Sequence, residues 1–212
     1  MDGKAELCNH ACMRLAMHPG GRLPLANLLI PLLLAASLPL AGCATSADEY
    51  YALGVNELAA GRLNDSSAAF HRTIELQPTH GTAYLGLGKI YLAEEKWSTA
   101  ANALREAERI DPSLGKEIEP LLIQALYEDA LYEVKLGKRR EAILSFGALY
   151  ERAPNYPGLR EDYVAALLQE GQKAMIEDRY IEGVVALKKV LEVDPANRTA
   201  LTLLKQARFS VH

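Results

Sequence analysis

The sequence predicts an all-α protein: a right-handed helical solenoid of about four helix-turn-helix repeats with a C-terminal capping helix. Three observations carry the prediction. Four prolines, Pro78, Pro112, Pro154 and Pro195, punctuate the chain at nearly regular intervals. Small residues recur at fixed places between them, each followed by a larger apolar residue. Half of the chain is apolar and about a quarter is charged, which fits a packed globular protein rather than a disordered one.

The first proline gap spans 34 residues, a period shared by helical repeat arrays. The next two gaps are longer by 8 and 7 residues, so insertions are expected at 113–122 and 155–162, lengthening the first helices of the third and fourth units. A proline after each second helix forbids its simple continuation. The expected helices are 47–60, 64–76, 81–94, 97–110, 115–136, 139–152, 158–176, 180–192 and 196–210. Ser46-x-x-Glu49 predicts a capping box that opens the first of them.

Within each unit, Gly54, Gly88, Ala100, Ala142, Gly171 and Gly183 let two helices approach closely. One helix pair cannot bury its apolar side alone, so at least three must stack. The last helix, with Arg198, Lys205, Gln206 and Arg208 among its apolar residues, suits a solvated cap on the open end.

Residues 1–42 stand apart from this pattern. Arg14, His18 and Arg22 precede an apolar run from Leu23 to Leu40, then Leu40-Ala41-Gly42-Cys43. A basic flank, an apolar segment and small residues before a cut are features of a secretory signal. The closing four residues resemble the bacterial lipobox, which implies cleavage between Gly42 and Cys43 and acylation of Cys43. A plain transmembrane anchor is the alternative, since the run is long enough to span, but Pro24, Pro31 and Pro39 disfavour a regular helix. Met13-Arg14 would be a more ordinary start, leaving the first twelve residues as an upstream extension. Cys8, His10 and Cys12 lack a fourth ligand and lie in the discarded segment, so no metal site is expected. The domains are thus 1–42, signal peptide; 43–46, lipidated cysteine and tether; and 47–212, repeat domain.

Removal of residues 1–42 takes three of 23 basic and two of 27 acidic side chains, leaving a formal charge of −5. An acidic body is not drawn to an anionic membrane, and no basic footprint argues for nucleic acid. Attachment falls to the lipid, and two or more acyl chains anchor stably at roughly 0.8 kcal/mol per buried methylene. A tether of four residues, at ~3.3 Å each, holds the stack within about 13–17 Å of the lipid.

The residues around Pro112 are Tyr84-x2-Leu87-Gly88-x2-Tyr91, then Trp97, Ala100-x3-Leu104 and Ala107. Around Pro78 they are Tyr50-x2-Leu53-Gly54, Gly61, Leu63 and Ser66-x3-Phe70. The third unit has Leu126, Asp129, Ala130, Gly137 and Ala142-x3-Phe146. The fourth has Leu167, Gly171, Tyr180 and Gly183-x3-Leu187. On these residues the chain resembles the tetratricopeptide repeat (TPR) family over roughly 47–210, with repeats about 47–80, 81–114, 123–156 and 164–197 and a capping helix at 196–210.

That resemblance implies a concave groove lined by the first helix of each unit, with Tyr51, Leu85, Tyr127 and Leu168 at one register and Val55, Lys89, Leu131 and Gln172 at the next. Thr82, Leu92, Gln124 and Met175 are lesser candidates. Leu85 and Leu131 could equally pack between helices, whereas Tyr51 and Tyr127 have the amphipathic rings that suit an interface. Only Lys89 resembles the family's carboxylate clamp, so an apolar helix or extended peptide is the natural guest.

No catalytic residues are expected. His71 and His80 are unaccompanied by a nucleophile–base set, metal spacing or phosphate loop. The acid pairs Glu94-Glu95, Glu128-Asp129 and Glu177-Asp178 and the basic run Lys138-Arg139-Arg140 read as solvated surface. No cofactor is implied. The combined resemblance implies a periplasm-facing lipoprotein that acts as a scaffold or adaptor for an envelope assembly serving pilus or secretion, outer-membrane or cell-wall machinery. Its partners are another envelope protein or peptide segment and the membrane, through the lipid. The alternatives are a self-associating homodimer, or a non-catalytic subunit of a polysaccharide-export or peptidoglycan-remodelling complex. Ala44, where an inner-membrane retention signal carries Asp, favours the outer membrane.

Overall fold

The computed structural model describes residues 46–210, with side chains described up to residue 207. The chain divides into two units, 1–44 and 45–212. Gly42 and Cys43, and with them the expected cleavage and lipidation, lie outside the described residues. Among the described residues there are nine α-helices, one short 3-10 turn and no strand. They are α1 (Ala47–Ala59), α2 (Leu63–Leu76), α3 (Gly81–Ala93), α4 (Trp97–Ile110), α5 (Gly115–Lys135), α6 (Arg139–Arg152), α7 (Leu159–Ile176), α8 (Tyr180–Val193) and α9 (Arg198–Ser210). Each lies within a residue or two of its expected span.

The caps explain where helices begin and turn. Ser46 opens α1 with the predicted capping box: its Oγ accepts from the Glu49 amide at 3.2 Å, and Glu49 accepts from the Ser46 amide at 3.0 Å. Each proline sits second in a four-residue turn closed by an amide-to-carbonyl bond, His80 to Gln77, Leu114 to Asp111, Tyr156 to Ala153 and Asn197 to Asp194. That position suits proline, whose fixed φ pre-sets the turn. The insertion after Pro112 becomes the 3-10 turn Pro112–Leu114 followed by an early start to α5, now 21 residues long.

The turns inside the four pairs share one geometry. Arg62, Lys96, Lys138 and Arg179 donate back to Glu57, Tyr91, Glu133 and Ala174 at 2.8–2.9 Å. This is the six-to-one bond of a Schellman motif, which requires a left-handed residue just before the donor. Gly61 and Gly137 supply it in the first and third pairs, at φ 74° and 76°. In the second and fourth pairs the same position holds Glu95 at φ 57° and Asp178 at φ 59°.

Within each pair a small residue on the first helix faces a large one on the second, always sixteen residues later: Gly54 and Phe70, Gly88 and Leu104, Ala130 and Phe146, Gly171 and Leu187. All four large side chains are buried. A Cβ on Gly88 would stand 2.6 Å from Leu104, and one on Gly171 2.9 Å from Leu187. The Phe70 ring is held from both sides, because a Cβ on Gly54 of α1 or on Gly86 of α3 would come within 2.7 or 2.5 Å of it. The partner positions Ser66, Ala100, Ala142 and Gly183 are also buried, and Ser66 Oγ donates to the Gly54 carbonyl at 2.7 Å. Interlocked pairs then stack, each second helix packing on the next first helix.

The left-handed Glu95 yields a measurable consequence. An L-residue in that conformation costs about 1–2 kcal/mol, of which glycine recovers all but its own entropic penalty of about 0.5–1 kcal/mol. Glu95→Gly should therefore stabilise the protein by about 0.5–1 kcal/mol in urea unfolding; a loss of stability would mean that the Glu95 side chain holds the turn.

Candidate functional site

First helices contact one another at three of the four joints, α1 with α3, α3 with α5 and α7 with α9, and no second helices touch to a similar extent. First helices therefore form the inner side of the curve, and second helices splay apart on the outer side, leaving gaps between them.

The inner face is more filled than the sequence implies. Leu85 is 5% exposed and packs with Leu104 and Ile118 in the core between the second and third units, so it is a packing residue and not a groove wall. The Tyr51 ring lies 4.7 Å from His80 and 5.8 Å from Phe70, tying α1 to the start of α3. Tyr127 does the same two units on. Its ring meets Tyr156 edge-on at 5.0 Å and Phe146 at 6.2 Å, and its hydroxyl donates to the Asp162 carboxylate on α7. Burial, and then the bond to Asp162, push the Tyr127 hydroxyl pKa upward. Both rings belong to the joints between units. Leu131 and Leu168 are half-buried against the core of the last two units. Lys89 spends its charge on Glu117, with Nζ 2.7 Å from Oε1 across α3 and α5. Val55 and Gln172 remain exposed.

The other singled-out residues also have structural work. His71 Nε2 lies 3.2 Å from the Tyr91 hydroxyl, and His80 Nδ1 lies 3.1 Å from Thr82. The basic run is not idle surface. Arg140 reaches Glu170 at 3.0 Å and Glu182 at 2.7 Å, and Arg179 joins the same two carboxylates and Glu177. No group of three or more His, Cys, Asp or Glu side chains among the described residues could hold a metal ion. No described helix is long and apolar enough to cross a membrane.

The outer side carries the open apolar surface. Between α6 and α8, above α7, runs a groove of about 630 Å³. Leu144, Ile181 and Val185 project into it and are 75%, 83% and 63% exposed. The signal was present in α8, where Gly183, Leu187, Val190 and Val193 form the buried stripe. Ile181 and Val185 form a second apolar stripe off that register, one turn apart. A neighbouring cleft of about 430 Å³ between α4 and α6 shares Leu144 and contains Asp129, Arg105 and Arg152.

Asp129 makes no ion pair within 4 Å among the described residues. Burial raises its carboxyl pKa above the ordinary 3.8, against the pull of Arg105 and Lys138. The folded state thus binds the Asp129 proton more tightly than the unfolded chain, so ionised Asp129 costs stability at neutral pH. That cost disappears once both states are protonated, below 3.8. Asp129→Asn should raise the thermal midpoint at pH 7 and confer no advantage near about pH 3; a lower midpoint at pH 7 would mean that attraction to Arg105 outweighs burial.

Residues 51–114 match the family model of the tetratricopeptide repeat. No curated protein matches the sequence. Solved structures similar to the chain include the TPR domain of Arabidopsis OM64, 17% identical, covering 76% of this chain and 93% of that one at a TM-score of 0.30. Another is YrrB, a TPR protein with an unusual peptide-binding site, at 19% identity, 76% and 92% coverage and a TM-score of 0.31. A third is PilW, a type IV pilus biogenesis factor, at 16% identity, 77% and 69% coverage and a TM-score of 0.31. At those scores the superpositions carry no argument about function. Residues 51–114 carry tetratricopeptide repeats, and the small-to-large pairing, Schellman turn and proline turn that recur through residue 197 give the described residues the all-α repeat fold of that family.

Proposed function

We propose that this chain is a lipid-anchored scaffold that holds another envelope protein on the inner side of its repeat stack, facing the periplasm from the outer membrane. One observation carries the binding part of this reading. The first helices line the inner side of the curve, and exposed Val55 and Gln172 with half-exposed Lys89 leave a surface for an extended or helical apolar segment. Because Lys89 is already paired with Glu117, a terminal carboxylate would have to break that pair, so apolar side chains rather than a charged terminus should provide the grip. Tyr51 and Tyr127 contribute by holding successive units at a fixed spacing, which pre-organises the surface and lowers the ordering cost of binding.

The anchoring part rests on Leu40-Ala41-Gly42-Cys43 and on the charge balance of the remaining chain. A body with a formal −5 gains nothing from an anionic membrane surface, so the thioether-linked lipid on Cys43 is what would hold it there. Such a protein concentrates its partner at the membrane and performs no chemistry on it.

Both parts can be tested in one set of strains. A photo-crosslinking amino acid at Val55 or Gln172 should capture a defined envelope protein in intact cells. Cys43→Ser should shift the protein from the membrane to the soluble fraction after osmotic release. Membrane retention of the Cys43→Ser protein would refute the anchor, and failure to capture a partner at either position would refute the inner-face site.

A further inference from the structure

The outer groove between α6 and α8 has a second feature besides its exposed apolar side chains. Its rim carries three cations, Arg140, Lys188 and Lys189, and three carboxylates, Glu170, Glu182 and Glu192. Arg140 is held between Glu170 and Glu182, and Lys189 Nζ lies 2.9 Å from Glu192. Lys188 alone among these cations has no carboxylate within ion-pair distance among the described residues. With Arg179 on the same Glu170 and Glu182, the rim carries no excess of acid on a molecule that has one overall, and two such molecules repel each other less at this place than over their surface at large.

The order of residues along α8 is also symmetric about its exposed apolar stripe. Glu182 lies three residues before Val185 and Lys188 three residues after it. A two-fold axis passing at Val185 would set α8 antiparallel to its own copy. Val185 then meets Val185 of the second copy, Lys188 faces Glu182 of the second copy, whose Oε2 already holds Arg140 and Arg179 and whose Oε1 has no ion-pair partner among the described residues, and Ile181 lies on the methylene stem of Lys189 of the second copy. An interface related by a two-fold axis must be complementary to itself, and a stripe with acid at one end and base at the other satisfies that condition.

We propose that the α6–α8 groove is a self-association surface through which two copies of this chain pair by antiparallel α8 helices, burying Leu144, Ile181 and Val185. This proposal is independent of the inner-face scaffold reading, since it uses the opposite side of the stack. It would double the number of inner faces held by one assembly and so permit bivalent capture of a partner.

The test uses the full chain in mild detergent, followed by light scattering from roughly 1 to 100 μM. The wild-type chain should form dimers, and Val185→Asp should shift it to monomer with an unchanged helical circular dichroism signal. Lys188→Glu, which sets like charges against each other, should weaken dimerisation by about tenfold or more. With Cys8, Cys12 and Cys43 replaced by serine, Val185→Cys should give a covalent dimer on mild oxidation that the same chain with Val185 does not give. Val55→Asp, on the inner side, should leave the dimer intact. A wild-type chain that stays monomeric across the range would overturn the proposal. So would a dimer indifferent to both Val185→Asp and Lys188→Glu, or one broken by Val55→Asp.

Discussion

The close approach of two helices within each pair is the constraint on which everything else depends. It is possible only because a residue with little or no side chain on the first helix faces a large side chain on the second. Gly88 leaves room for Leu104, and Gly54 and Gly86 together clasp Phe70 from two consecutive units. Interiors are packed densely enough that one added methyl group must displace something. The sixteen-residue spacing between the small and the large partner is set by the length of one helix remainder, one tight turn and one helix beginning. The turn therefore cannot vary, and the same Schellman closure appears in all four pairs even where Glu95 or Asp178 must adopt the left-handed conformation to make it.

From that constraint the division of labour between the two sides follows. First helices crowd together on the inner side, so side chains there are recruited to join units: Tyr51 with His80, Tyr127 with Asp162, Lys89 with Glu117. Second helices diverge on the outer side and leave open clefts between them. The fourth unit exposes Ile181 and Val185 there, beside Leu144 of the third. Inner side chains thus fix the curvature, and outer ones are free to take part in association.

Much of the fold is legible in the sequence because its signals are local. Proline can occupy only certain turn positions, and small residues at a fixed interval before large ones admit few arrangements other than paired helices. The long first helices of the third and fourth units follow from the two insertions by the same logic. The site is less legible because it depends on what a side chain meets across units. Tyr51 and Tyr127 have the composition of interface residues, yet each has a ring or carboxylate of the next unit within reach, and a single chain pattern does not reveal that neighbour. Leu85 is lost to the core for the same reason. The exposed stripe on α8 could have been found, since Ile181 and Val185 fall off the register of Leu187 and Val190. Glu95 and Asp178 read as solvated acids, although the spacing from Gly61 and Gly137 marks them as turn residues under strain.

The most direct test of the small-to-large constraint is a double-mutant cycle on Gly88 and Leu104, followed by urea unfolding. Gly88→Ala alone should cost about 1–3 kcal/mol through overpacking. In a Leu104→Ala background the added methyl group enters the space that Leu104 has left, so the same change should cost nothing or stabilise, giving a coupling of at least about 1 kcal/mol. Additive effects of the two substitutions would contradict the account.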